Sequence, residues 1–335
     1  MFRPLAILLI CIVVTTGLRA QDKRFSFTRP KMGSPFTIIL YTTDSISAGS
    51  ITQHCFELVD SLVMIFSDYI DSSELNRLCA RAGKPGDPFV CSAPLFDILR
   101  QSQYAFQQSS GSFDITLGPI TRLWRKARKE KIFPSEAQVK TQLACTGFNK
   151  LVLDTNTHTA RLQQQGMQLD LGGIGQGYIA QQVIDYLKKQ QVTNALVDVS
   201  GDIVCTGKPP GSKGWTVAVN VPESADELLP GQLLISNYAV TTSGDVYQFM
   251  EHDGKKYSHI VDPATGYGIT SQRNVTVIAR DGTLADWLTK ACSILSIGKA
   301  KKLAHRLGAS VLIAEMKNGK VQYHYSRGFT RWWKR

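Results

Sequence analysis

Along this chain the spacing of apolar positions switches repeatedly between a period of two and a helical period. Alternation or short apolar runs predict strands over 36–42 (FTIILYT), 151–153, 167–170, 195–199, 215–221, 239–242, 275–279 and 310–314. Helical spacing predicts helices over 51–66, near Glu74, and over 95–109, 135–146, 177–190, 286–295 and 298–308. A turn-rich stretch covers 111–119. The strands are short and variously connected, which fits an α+β domain with mixed strands and packed helices better than a regular βαβ series. No repeat, linker or composition shift interrupts residues 21–335, so they read as one domain.

The first twenty residues stand apart. Arg3 precedes a short apolar run over 5–14, and Thr15, Thr16 and Gly17 lead to the small residue Ala20. This pattern reads as a signal peptide cleaved near Ala20, since the run falls short of the roughly 18 residues a spanning helix needs. Cys11 follows Ile10 rather than a small residue, which disfavours lipid attachment. The expectation is an exported protein, periplasmic or membrane-associated on the outer side of the cytoplasmic membrane.

Export changes how the charge is read. The net charge of +11 clusters in 122–131 and 327–335. Nucleic acid is an improbable partner outside the cytoplasm; an anionic membrane surface or a phosphate-bearing ligand suits the charge better. The plainer reading is a solvated basic helix and a frayed tail. Cys55, Cys79, Cys91, Cys145, Cys205 and Cys292 follow the leader without a C-x-x-C pair, which removes support for zinc or thioredoxin chemistry.

Four segments carry candidate chemistry. In 169–182 (LDLGGIGQGYIAQQ), Asp170 ends an apolar run, and Gly172, Gly173, Gly175 and Gly177 precede a helix. Glycines let backbone approach a phosphate, and a helix N-terminus favours its charge. The string lacks the G-K-[ST] of a Walker A loop and the context of a Rossmann fingerprint. The second segment joins Thr242, Ser243, Gly244 and Asp245 to 258–266 (SHIVDPATG), where His259 could act as a base or orient a reacting group. In the third, 111–116 (GSFDIT), Phe113 could meet a planar ring and Asp114 a polar edge, with Trp124 nearby. In the fourth, 285–290 (ADWLTK), Asp286 could cap its helix or hold a hard cation.

These segments, in this order, resemble the FAD:protein FMN transferase (ApbE) family from about residue 32 to 314. Met32-Gly33-Ser34, Phe66-Ser67 with Tyr69, Ser73 and Glu74, and Gly214-Trp215 add to the match. The resemblance implies a single extracytoplasmic, T-fold-related α+β domain that takes FAD and Mg²⁺. It places Met32, Tyr69, Ser112, Phe113, Asp114, Asp170, Gln176 and Ile260 on FAD. It places Gly173 (through its carbonyl), Asp286, Thr289 and Lys290 at the metal, and His259 beside an acceptor threonine. The implied reaction is attack of that threonine on the FMN-side phosphorus of FAD, with AMP leaving. The implied acceptor is a flavoprotein subunit of a membrane-associated redox complex.

Two departures stand out. Family loops often carry Ala-Lys-Gly where this chain has Gly175-Gln176-Gly177. Lys290 stands where the family usually has a metal-binding threonine, and an ammonium has donors but no lone pair for a cation. The lysine either replaces the metal or points to solvent. Three other readings therefore remain: an FAD-binding protein without transfer, an FAD pyrophosphatase giving FMN and AMP, and a structural envelope protein that keeps only the fold.

Overall fold

Residues 34–42 show why this chain builds a two-faced sheet. Phe36, Ile38 and Leu40 are buried on one face, while Ile39 and Tyr41 pack into a separate cluster on the other. The same division recurs at 195–199, 275–279 and 310–314, so these strands read as nearly continuous apolar runs. The computed structural model describes residues 22–334, except 222–223, 245–248 and 319. The expected leader and Asp245 therefore lie outside the described residues.

In chain order the elements begin with β1 (Lys23–Lys31), β2 (Ser34–Thr42), α1 (Ser45–Phe66), α2 (Glu74–Cys79), β3 (Phe89–Val90) and α3 (Ala93–Gln108). They continue with α4 (Gly118–Glu130), α5 (Glu136–Ala144), β4 (Leu151–Asp154), β5 (Thr159–Leu162), α6 (Gly175–Lys189), β6 (Ala195–Val199) and β7 (Asp202–Thr206). Next come β8 (Trp215–Val221), β9 (Ser224–Ile235), β10 (Ala239–Ser243), β11 (Phe249–His252) and β12 (Lys255–Ser258). The chain closes with β13 (Arg273–Ala279), α7 (Gly282–Ile294), α8 (Ile297–Arg306), β14 (Ser310–Lys317) and β15 (Lys320–Tyr325).

The main sheet has 8 strands in the order β1-β2-β6-β7-β10-β13-β14-β15, antiparallel throughout. Helices α1, α6, α7 and α8 cover one face. The β8–β9 hairpin and the C-terminal residues cover the other. A third, smaller cluster joins Ile120, Trp124 and Val139 to Val261. The fold is α+β, as expected.

Several boundaries move for local reasons. Helix α1 starts at Ser45 because the Asp44 carboxylate accepts from the Ser47 N–H at 2.8 Å. Helix α7 starts at Gly282 because Asp281 caps it, accepting from the Leu284 N–H at 2.8 Å. Residues 167–170 form no strand. One parallel bridge joins Gln168 to Leu117, and the Asp170 N–H donates to the Ile115 carbonyl before the partner segment turns into α4.

The tail is not frayed. Phe329 is fully buried, Trp332 Nε1 donates to Ser310 Oγ at 3.1 Å, and Trp333 lies against Gly231. Arg327, Arg331 and Lys334 stay exposed on this docked segment. Phe329→Ala should cost about 3 kcal/mol, because it opens a cavity in the second core. Urea unfolding monitored by circular dichroism would show the loss; an unchanged midpoint would mean the segment adds nothing to stability.

All six of these cysteines are free, with no disulfide among the described residues. Burial pushes the thiols of Cys55, Cys91 and Cys292 up to about 12, which leaves them poor nucleophiles. No helix among the described residues is long and apolar enough to cross a membrane.

Candidate active site

The glycine-rich loop ends in α6, whose N-terminus has no capping side chain of its own. That role falls to Asp286, which reaches across from α7: the Gly177 N–H donates to Asp286 Oδ2 at 3.0 Å. Asp286 therefore caps α6 rather than α7. The two helices can approach this closely because glycine meets glycine. A Cβ on Gly177 would lie 2.2 Å from the Gly282 carbonyl oxygen, and one on Gly282 would lie 2.4 Å from that of Gly177.

Asp286 is wholly buried, and its Oδ1 has the Lys290 ammonium at 3.2 Å, off the line of an aligned hydrogen bond. Thr289, also buried, donates its hydroxyl to the Asp286 carbonyl at 2.7 Å and accepts from Lys290 Nζ at 3.3 Å. Burial works against the ammonium, but the charges of Asp286 and Asp202 outweigh it and hold the Lys290 pKa above its ordinary value. The Asp202 pKa rises as well, and for the acid this favours the neutral form. Burial first, and then the charge of Asp286, push its carboxyl up to about 8.

This shift has a sign that can be tested. Folded Asp202 keeps its proton to about pH 8, whereas unfolded Asp releases it near about 3.9. Its contribution to stability is therefore complete below the unfolded value and is lost as pH rises through about 8. Asp202→Asn should flatten that decline in urea unfolding measured across a pH series. An unchanged slope would show that Asp202 does not cause it.

The facing wall begins at a two-residue hairpin. Met32 and Gly33 both have positive φ (52° and 75°), the geometry of a type I′ turn, which sets Met32 at the edge of the site. In 111–116 the Phe113 N–H donates to Ser109 Oγ at 3.0 Å, and the Phe113 ring lies 6.1 Å from that of Trp287. Asp114 Oδ1 accepts from both the N–H and the hydroxyl of Thr116 at 2.7 Å. Burial raises the Asp114 pKa even against those bonds.

Asp170 Oδ1 accepts from the Gly172 N–H at 2.8 Å, and its Oδ2 pairs with Arg125 at 3.1 Å. Arg125 also pairs with Asp68 and lies 4.5 Å from the centre of the Tyr69 ring, itself 76% exposed. The third wall is 258–266, tied to α4 where Trp124 Nε1 donates to the Gly266 carbonyl at 2.8 Å.

Between these walls lies a cleft of about 790 Å³. Met32, Tyr69, Ser112, Phe113, Asp114, Asp170, Gly173, Gln176, His259, Ile260 and Lys290 all line it. Asp286 and Thr289 are buried beside Lys290 rather than lining the cleft. Three charged lining residues escape the sequence analysis of the site: Asp68, Arg125 and Arg128. The i, i+3 spacing of Arg122, Arg125 and Arg128 was the available signal for the arginines, and it turns part of the basic helix inward rather than to solvent. Nothing local marks Asp68.

Three of the four positions assigned to a metal by resemblance, Asp286, Thr289 and Lys290, do not offer a set of free oxygen ligands. Asp286 Oδ2 is held by Gly177, Oδ1 faces an ammonium, the Thr289 hydroxyl is engaged, and Lys290 brings positive charge. Mg²⁺ demands near-octahedral oxygen coordination, so these residues do not fit it. Among the described residues, no three His, Cys, Asp or Glu side chains gather as metal ligands.

The cleft belongs to a recognisable group of proteins. Residues 32–313 match the ApbE family. A Klebsiella pneumoniae FAD:protein FMN transferase is 32% identical over 272 residues, covering 81% of this chain and 82% of that one. One from Treponema pallidum is 28% identical, covering 87% and 84%. Among solved structures, the flavinyl transferase ApbE of Pseudomonas stutzeri superposes with a TM-score of 0.82 at 27% identity, covering 93% of this chain and 97% of that one. A mutant of the Vibrio cholerae flavin transferase ApbE gives 0.81 at 25%, covering 92% and 99%. With its family pattern spanning most of its length and a relative above 30% identity, this chain belongs to the ApbE family.

Proposed function

We propose that this protein is an FAD:protein FMN transferase that moves FMN from FAD to a threonine hydroxyl of an acceptor protein and releases AMP. The observation that carries this reading is one cleft that joins three unlike surfaces. Met32, Tyr69, Phe113 and Ile260 offer apolar and aromatic area for a planar ring. The loop at the start of α6 offers glycine backbone for a diphosphate. His259 stands in the same cleft as a proton acceptor.

In the proposed step the acceptor oxygen bonds to the FMN-side phosphorus, and the bond from that phosphorus to the bridging oxygen breaks. AMP leaves with the bridging oxygen, and the hydroxyl proton passes to His259. Asp170, fixed by Arg125 and Gly172, shapes the loop. Such transfer depends chiefly on positioning and electrostatics. Mg²⁺ is supported here by the resemblance alone, because residues 286, 289 and 290 do not fit its oxygen shell.

The acceptor is read as a membrane-associated redox protein, supported by the resemblance. Export is read from the leader pattern over 1–20. Contact of the exposed Arg327, Arg331 and Lys334 with an anionic membrane belongs to the same reading.

The test is incubation of the protein with FAD and a threonine-bearing acceptor, followed by in-gel flavin fluorescence and AMP measurement. Acceptor labelling with AMP release is the expected result. AMP release without labelling, in the presence of a competent acceptor, would instead identify a pyrophosphatase.

A further inference from the structure

We infer that Lys290 is a tethered cation in the place of a divalent one: its ammonium excludes a metal from Asp286 and supplies the positive charge opposite the diphosphate of bound FAD. The identity of the anion rests on the flavin reading above; the exclusion of the metal does not.

The geometry singles out this lysine. Asp286 Oδ1 is a buried carboxylate oxygen without an aligned hydrogen bond, and Lys290 Nζ stands 3.2 Å from it. The other oxygen is committed to the Gly177 N–H, so the carboxylate presents one oxygen toward the ammonium. Asp286 has no exposure, whereas the Lys290 side chain is 21% exposed and lines the cleft. The ammonium thus screens the carboxylate from any ion in the cleft.

The stem of the lysine is fixed as well. Lys290 Cγ and Cε lie 3.1 and 3.8 Å from where a Cβ on Gly173 would stand, with Phe113 Cε2 at 3.2 Å on the same position. Bare glycine at 173 lets the stem run along the loop. An ammonium has three donors. Here one side faces Asp286 and another reaches Thr289 Oγ1, while the exposed fraction faces the cleft. A lysine point charge serves phosphate without coordination chemistry, and here it is anchored by a buried carboxylate.

Two measurements on the full chain decide the matter. The first follows Mn²⁺ by electron paramagnetic resonance without nucleotide. Wild type should leave the free-ion spectrum unchanged, and Lys290→Thr, which restores an oxygen at this position, should take up the ion. The second titrates FAD by fluorescence in EDTA and in Mg²⁺. Wild-type affinity should agree within about twofold between the two, and Lys290→Met should weaken it by about tenfold or more. Should Lys290→Met fail to fold, the wild-type comparison stands without it. Mn²⁺ uptake by wild type that Asp286→Asn removes would overturn the inference. So would FAD binding lost in EDTA and regained with Mg²⁺. A protein that binds no FAD in either condition fails the flavin reading; the Mn²⁺ result then decides the metal exclusion separately. FAD binding resistant to EDTA, with no transfer to a competent acceptor, would uphold the lysine and reject the transferase.

Discussion

Gly177→Ala should destabilise this chain by more than about 4 kcal/mol, or leave it without a folded state, although it adds one methyl group. The new Cβ would stand 2.2 Å from the Gly282 carbonyl oxygen and 2.6 Å from Asp286 Cβ. Both obstacles lie close to backbone, so no rotamer change relieves them. The helices must separate, which removes the Gly177 N–H from Asp286 Oδ2 and disturbs the Lys290 pair. Gly49→Ala provides the contrast, since nothing lies within 4 Å of its Cβ position in the second turn of α1. There the same methyl should add about 0.5–1 kcal/mol through helix propensity. Denaturant unfolding of both variants gives the comparison, and a Gly177→Ala protein as stable as wild type would refute the contact.

His259→Ala should slow FMN transfer by about 10²–10⁴-fold, the range expected when a positioned proton acceptor is removed. FAD should still bind, because the apolar walls and the α6 loop are untouched. Measuring turnover and FAD affinity on the same preparation separates the roles. If affinity fell in parallel with turnover, His259 would be holding flavin rather than receiving the proton.

The candidate site was more legible in the sequence than the sheet that carries it. Its parts are short contiguous strings, in which Gly173, Asp114 and His259 announce themselves by type and spacing. The arginine contacts were harder, because Arg125 meets Asp68 and Asp170 only once distant segments converge. Strand β7 is five residues long and directly follows β6, and β11 and β12 are four residues each, too short for a period to stand out. In β1, Phe25 and Phe27 alternate with polar residues, but the strand ends in Arg-Pro-Lys and lies on an exposed sheet edge. The start of α7 was hidden by Gly282, a poor helix former whose place is set by contact with Gly177. The role of Asp286 toward α6 depends on the same crossing.

The order in which the sheet is assembled carries a consequence for how the chain folds. Strand β2 pairs with β6, joining Leu40 to Ala195, so the middle of the sheet waits for a large loop to close. Strands β13, β14 and β15 come later still, and Phe329 follows all of them before it can seal the far face. Such non-local pairing makes folding slow. A newly made chain of this kind therefore closes its core late, only after β13 to β15 have been synthesised and have joined the sheet.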